Sequence, residues 1–277
     1  MDANLTQHGT GNSMMVMKTG SGWSRGLDNA VRGELKEWFQ TRTWWSQVLI
    51  WAASINLIFL IVSLSVRQNP GEMNSPTESL MIFNIFMGLV GPIGVSIVMQ
   101  SAVVGEKKSG TAAWVLSKPI SRISFILSKV IGNSLGIAAT MVLAQGIIAY
   151  LIAYFVVGIT PPPLGFLAGL GVHLVHIFFY LTLTLMLGAI FEKAAPVIGI
   201  PIAFLFSQNF LSSAFPKLTP FMPQSLAMPG NNSSELPLAM ALMTESPVDT
   251  YLLLIGTFIA SLIFIGIALW VFQRQEL

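Results

Sequence analysis

The sequence predicts an all-α, polytopic membrane protein with six transmembrane helices, and three observations carry that prediction. The 277 residues are 53% hydrophobic and only 9% charged, far from the roughly 25% charged residues of soluble domains. Apolar runs long enough to cross about 30 Å of hydrocarbon occur at 45–66, 80–104, 130–157, 164–191, 194–215 and 251–272. None of these runs contains Asp, Glu, Lys or Arg, each of which would cost about 2.5–3.5 kcal/mol at mid-bilayer. The third observation is the placement of charge. Six crossings put both termini on one side, which carries Arg25, Arg32, Lys36, Arg42, Lys107, Lys108, Lys118, Arg122, Lys129, Lys193 and Arg274, whereas the other side carries only Arg67 and Lys217. The positive-inside rule makes the first side cytoplasmic.

The same composition excludes several classes. The 14 Lys+Arg nearly balance the 12 Asp+Glu, so nucleic acid is not an expected partner. With no cysteine, disulfides and Cys-ligated metals are absent. The first apolar run begins too far from Met1 and is too long for a cleavable signal peptide, so it is expected to remain as a span.

Taken in order, residues 1–22 are rich in Gly, Ser, Thr, Asn and Met without periodicity and are expected to be a disordered tail; 23–277 form one membrane domain. Residues 24–44 are amphipathic, with Leu27, Val31, Leu35, Trp38 and Phe39 at helical spacing beside a stripe of Arg25, Arg32 and Lys36. An interfacial helix running straight into the first span is expected, with Trp38, Trp44 and Trp45 at headgroup level. Packing of this helix on a soluble partner is the alternative.

In 105–128, Gly105 and Gly110 break the second span and Pro119 stops a short helix, after which Ser121 can cap the next. A compact hairpin projecting into the cytoplasm follows from that order. The external stretch 216–247 contains six prolines and cannot hold long regular structure. Either it forms a loose loop, or its apolar pieces 214–221 and 236–243 dip back toward the membrane as short half-helices.

Chemistry inside the spans is sparse. No carboxylate is present there to drive proton- or sodium-coupled transport. His173 and His176, three apart on one helical face, are the only intramembrane candidates for catalysis or metal binding. Two imidazoles without a third strong ligand make a poor zinc site, so they are expected to hydrogen-bond between helices. Asn56, Asn84, Gln100, Asn133, Gln145, Thr182, Thr184, Gln208 and Asn209 are the other polar residues considered in the spans. Most should join helices, while Asn84, Gln208 and Asn209 are the candidates to line a path. No Gly-x-x-x-x-Gly-Lys-Ser/Thr loop exists, so this chain has no phosphate loop with which to hydrolyse ATP.

One stretch carries a family resemblance. Gly105-Glu106-Lys107-Lys108-Ser109-Gly110-Thr111, followed by Leu116-Ser117-Lys118-Pro119-Ile120-Ser121-Arg122 and Lys129, resembles the segment after the second span in permeases of the bacterial and archaeal type-2 ABC export family. Arg32-Gly33-Glu34-Leu35-Lys36, in the helix that also holds Trp38 and Phe39 and leads to Trp44, is similar over those five residues to that family's amphipathic connecting helix. Ala112-Ala113-Trp114-Val115 departs from the family, many of whose members are more acidic and leucine-rich there. The resemblance implies a non-catalytic permease subunit in a cell (cytoplasmic) membrane. It implies two permease copies, identical or paralogous, and two ABC ATP-binding subunits that carry the ATP and Mg. It also implies that Glu106, Lys107, Gly110, Thr111, Trp114, Pro119 and Arg122 couple the ATPase to the spans, this chain binding no cofactor or metal itself. An ATP-independent carrier or channel, and ABC-type mechanotransmission without export, stay open beside it.

Overall fold

A computed structural model of the chain describes residues 22–68, 76–117, 120–229 and 236–275. Most of the expected tail, residues 1–21, lies outside the described residues, as do Lys118 and Pro119. Among the described residues there is no strand, and six helices are long and apolar enough to span a membrane. The protein is a multi-pass α-helical membrane protein.

Helix α1 (Leu27–Phe39) precedes the first span, α2 (Trp44–Gln68). The second span, α3 (Ser79–Lys108), turns through a left-handed Gly110 (φ 72°) into the short α4 (Thr111–Leu116). Spans α5 (Arg122–Val157), α6 (Pro163–Ile190) and α7 (Ala194–Ala214) follow. Two 3₁₀ turns at Pro216–Phe221 and Pro223–Leu226, and the short α8 (Leu238–Met243), lead to the last span, α9 (Leu252–Arg274).

Helix α6 is the axis of the bundle: 72% of its apolar window is buried, against 17% for α9. It packs against α3, α7, α8 and α9, and the outward faces of α2, α7 and α9 are left to lipid or to another chain. Helices α2 and α5 are clamped by Asn56, which donates to Gln145 Oε1 at 2.8 Å while Gln145 Nε2 donates to the carbonyls of Val48 and Thr140. Asn56 closes the π-turn Ala52–Asn56 and Gln145 lies two residues past the π-turn Ala138–Leu143, where the extra residue re-aims the side chains that follow.

Helix α5 starts at Arg122, as the cap expected at Ser121 implies, so its first two turns are the second half of the 105–128 segment. Ser121 accepts from Ser124 N at 3.0 Å. One expectation needs correction: the amphipathic helix does not run straight into α2, because Gln40 and Arg42 turn the chain between them. The same helix is docked on the bundle. Its Glu34–Trp38 face lies against α5, where a Cβ at Gly132 would meet the Glu34 side chain and one at Gly136 the Trp38 ring. Trp38 is buried, whereas Phe39 and Trp45 stay exposed.

The proline-rich segment between α7 and α9 does fold back on the bundle, through the expected 236–243 piece, which forms α8, and through 222–228 in place of 214–221. Phe215 and Phe221 are exposed, while Met222, Leu226, Ala227 and Met228 are buried. Helix α8 is seated on α6 because Gly165 and Gly169 leave room: a Cβ at Gly169 would lie 2.6 Å from the Ala239 carbonyl, and one at Gly165 2.5 Å from that of Leu242. This plug and the α3–α4 hairpin meet opposite ends of α6.

Candidate functional site

The hairpin end is built around one buried cation. Lys129 Nζ donates to Glu34 Oε1 of α1 at 2.6 Å and to Glu106 Oε1 at the end of α3; the lysine side chain is only 4% exposed. A lysine in the second turn of a spanning helix is tolerable because two carboxylates neutralise it and α1 covers it. Burial pushes the Glu34 carboxyl above its ordinary value, with Lys129 pulling the other way. Asn133, one turn beyond Lys129, accepts from Trp38 Nε1 at 3.1 Å and reaches Glu34 Oε2 at 3.4 Å. Cavities of 410 and 540 Å³ are each lined by Glu34, Glu106 and Lys129, and the buried Glu106 Oε2 has no hydrogen-bond partner. The triad therefore joins three elements that still have space to move beside it.

Two further cations tie the hairpin to the other spans. Lys107 Nζ donates to the Gly188 and Ala189 carbonyls at 3.0 and 2.8 Å and lies 5.8 Å from the centre of the Phe272 ring. It thereby satisfies the free carbonyls at the C-terminus of α6. Arg122 does the same for α9, donating to the carbonyls of Gln273 at 2.8 Å and Gln275 at 2.6 Å. Gln275 Nε2 donates in turn to the Ala189 carbonyl. Glu106, Lys107 and Arg122, which the resemblance casts as contacts to another subunit, thus have partners inside the chain. The outer surface of the hairpin belongs to Lys108, Ser109, Gly110, Thr111 and Trp114, the indole being 61% exposed. Arg32 and Lys36 are exposed on α1, and Pro119 falls outside the described residues.

The path-lining candidates are placed otherwise than expected. Asn84 is fully buried: its Nδ2 donates to the Leu80 carbonyl at 2.9 Å, and its Oδ1 bonds His173 Nε2 at 2.8 Å. That bond makes His173 an interhelical residue, joining α6 to α3. Gln208 Nε2 donates to the Tyr180 hydroxyl at 2.8 Å, and Gln208 Oε1 accepts from Gln224 N at 3.0 Å. Asn209 Oδ1 accepts from Gln224 Nε2. The Gln208–Asn209 pair thus holds the 3₁₀ turn Pro223–Leu226 on the bundle. His173, His176, Tyr180 and Thr184 form one stripe along α6, with Thr184 reaching Ser96 Oγ on α3 at 3.4 Å.

Lys129, Asn133, Tyr180 and Gln224 enter these contacts without having been candidates for a site, as do Met240 and Met243, whose sulfurs lie 3.5 and 3.4 Å from Asn84 Nδ2. For the first two a signal was present: Lys129 and Asn133 are four apart, interleaved with Gly132 and Gly136, and so face a matching pair, Glu34 and Trp38. Gln224 and the two methionines lie in the proline-rich stretch, where no periodicity points to a partner. Among the described residues no three of His, Cys, Asp and Glu converge as a metal site.

No curated protein matches the chain. Residues 47–277 match the model of a family described as a protein of unknown function, DUF2705, and the chain belongs to that family.

Proposed function

We propose that the chain is the membrane-spanning permease subunit of an ATP-driven exporter, similar to the type-2 ABC export family, working as one of two permease copies with two separate ATP-binding subunits. The observation that carries this reading is the way the α3–α4 hairpin is fastened. Lys107 grips the end of α6, Arg122 the end of α9, and Glu106 shares Lys129 with α1. A push on the exposed Ser109, Thr111 and Trp114 would reach α6 through Lys107 and α1 and α5 through Glu106 and Lys129. The six apolar runs hold no carboxylate with which to harness an ion gradient, and Glu106, at the end of α3, is paired with Lys129; the work is therefore taken to arrive from outside the bilayer. ATP and Mg belong to the partner. The triad and the two helix-end cations transmit force, and Trp114 is the contact that meets the ATPase.

In this reading the hairpin end, with its basic residues, faces the cytoplasm of a cell (cytoplasmic) membrane, together with both ends of the chain. A single cysteine introduced at 109 is expected to escape an impermeant thiol reagent added to intact cells, and one at 232 to react; the chain has no cysteine of its own to confuse the assay.

Trp114→Ala tests the coupling role. The indole is mostly exposed, so its loss should change the stability of the isolated chain by no more than about 0.5 kcal/mol. An aromatic anchor in an interface, by contrast, is worth about 2 kcal/mol or more. The expected result is a permease of unchanged thermal stability whose association with the ATP-binding subunit weakens at least about tenfold, transport falling with it. Unaltered association and transport would remove Trp114 from the mechanism.

A further inference from the structure

The outer plug brings soft ligands to one point in the core. Met240 and Met243, three apart on α8, point the same way, and their sulfurs lie 3.5 and 3.4 Å from a single atom, Asn84 Nδ2 on α3. The other end of the same carboxamide, Oδ1, lies 2.8 Å from His173 Nε2 on α6. Two thioethers and an imidazole, from three different helices, therefore surround one side-chain amide, and all four residues are at most 1% exposed.

A second observation separates this place from an ordinary interhelical contact. Asn84 Nδ2 donates to the Leu80 carbonyl, so Oδ1 is the acceptor and His173 Nε2 carries the proton. His173 Nδ1 is then a lone pair with no donor, and it is buried without a partner; so are both ring nitrogens of His176, one turn along the same face. Buried polar atoms normally have partners, and here three imidazole nitrogens on one face of α6 go unanswered.

We infer that Met240, Met243 and His173 form a binding site for a soft monovalent metal ion, Cu(I) in chemical character, at the position now held by the Asn84 carboxamide. Thioether and imidazole ligands favour Cu(I). All three ligands are neutral and, among the described residues, no carboxylate is recorded in contact with them, so a divalent ion would be buried with its full charge uncompensated, which is far more costly than a single charge. Rotation of Asn84 about its side chain frees the centre. His173 then binds through Nε2 in its other tautomer, and Nδ1 sacrifices nothing by taking the proton because it has no partner in either form. An ion there would pin α8 to α3 and α6. This inference goes beyond the export reading and does not depend on it: the site is complete within one chain and needs no ATPase.

The test is Cu(I) binding to the full-length protein in detergent, measured by competition with a chromophoric Cu(I) chelator and repeated with Ag(I) and Zn(II). The N-terminal tail carries its own His8, Met14, Met15 and Met17, so the informative quantity is the difference between the full chain and variants of the plug. Met→Leu keeps volume and apolarity and costs under about 1.5 kcal/mol; thermal unfolding run alongside verifies the fold. The expected result is one Cu(I) or Ag(I) per chain that is lost in Met240→Leu/Met243→Leu, weakened about tenfold or more in either single variant, and absent for Zn(II). Asn84→Ala removes the group the ion displaces, so it should bind Cu(I) at least as tightly as the native chain. Equal Cu(I) uptake by the native chain and the single methionine variants would overturn the site, as would loss of binding in Asn84→Ala.

Discussion

Lys129→Met is expected to lower the stability of the purified protein by about 3–5 kcal/mol, the usual consequence of removing one member of a buried charged group. The lysine answers two carboxylates at once. Glu34 and Glu106 side chains are 14% and 22% exposed, so solvent can do little to compensate either when Nζ is gone. The methionine fills nearly the same space, and a packing defect would therefore not explain the loss. Neutralising all three together, as Lys129→Met/Glu34→Gln/Glu106→Gln, should restore most of it, because the desolvation penalty leaves with the charges. Thermal or denaturant unfolding in one detergent separates the cases. A loss below about 0.5 kcal/mol for the single change would mean that water enters the triad freely.

Gly136→Val is expected to have an effect of similar size at a neighbouring point. A Cβ at 136 would fall within the Trp38 ring, and moving the indole aside would break its bond to Asn133. Helix α1 should lift from α5. The bundle would give up about 3–5 kcal/mol, comparable to deleting a buried tryptophan, and the Glu34–Lys129 pair would open with it. Hydrogen exchange over 27–39 reports this directly. Protection at native levels in the valine variant would show that α1 does not depend on that contact.

These two predictions also mark where the amino-acid sequence stopped being sufficient. The six spans could be located because each is a long apolar run without charge, and the membrane imposes that pattern whatever the tertiary arrangement. The cap at Ser121 and the break at Gly110 are local as well. Docking of α1 was not legible in the same way: an amphipathic helix pattern shows that one face is covered, not whether lipid or protein covers it. Lys129 and Glu34 are 95 positions apart, and a lysine at the border of an apolar run looks like the end of a span until a carboxylate is seen above it. At the plug, proline spacing forbade a long helix but could not show that Gln208 and Asn209 would hold the segment through Gln224. Nor could it show that Met240 and Met243 would arrive beside Asn84 and His173.

Proposed as an ATP-driven exporter, the protein stands or falls on whether its hairpin touches an ATP-binding subunit. Ser109 is exposed at the turn between α3 and α4, and a photo-activatable crosslinker attached to Ser109→Cys samples that contact in native membranes. If the account is right, the crosslinked partner is a protein carrying a phosphate-binding loop, and its yield changes when ATP is trapped on it. A crosslink that reaches only lipid or this same chain, in membranes where transport is intact, would contradict the proposal.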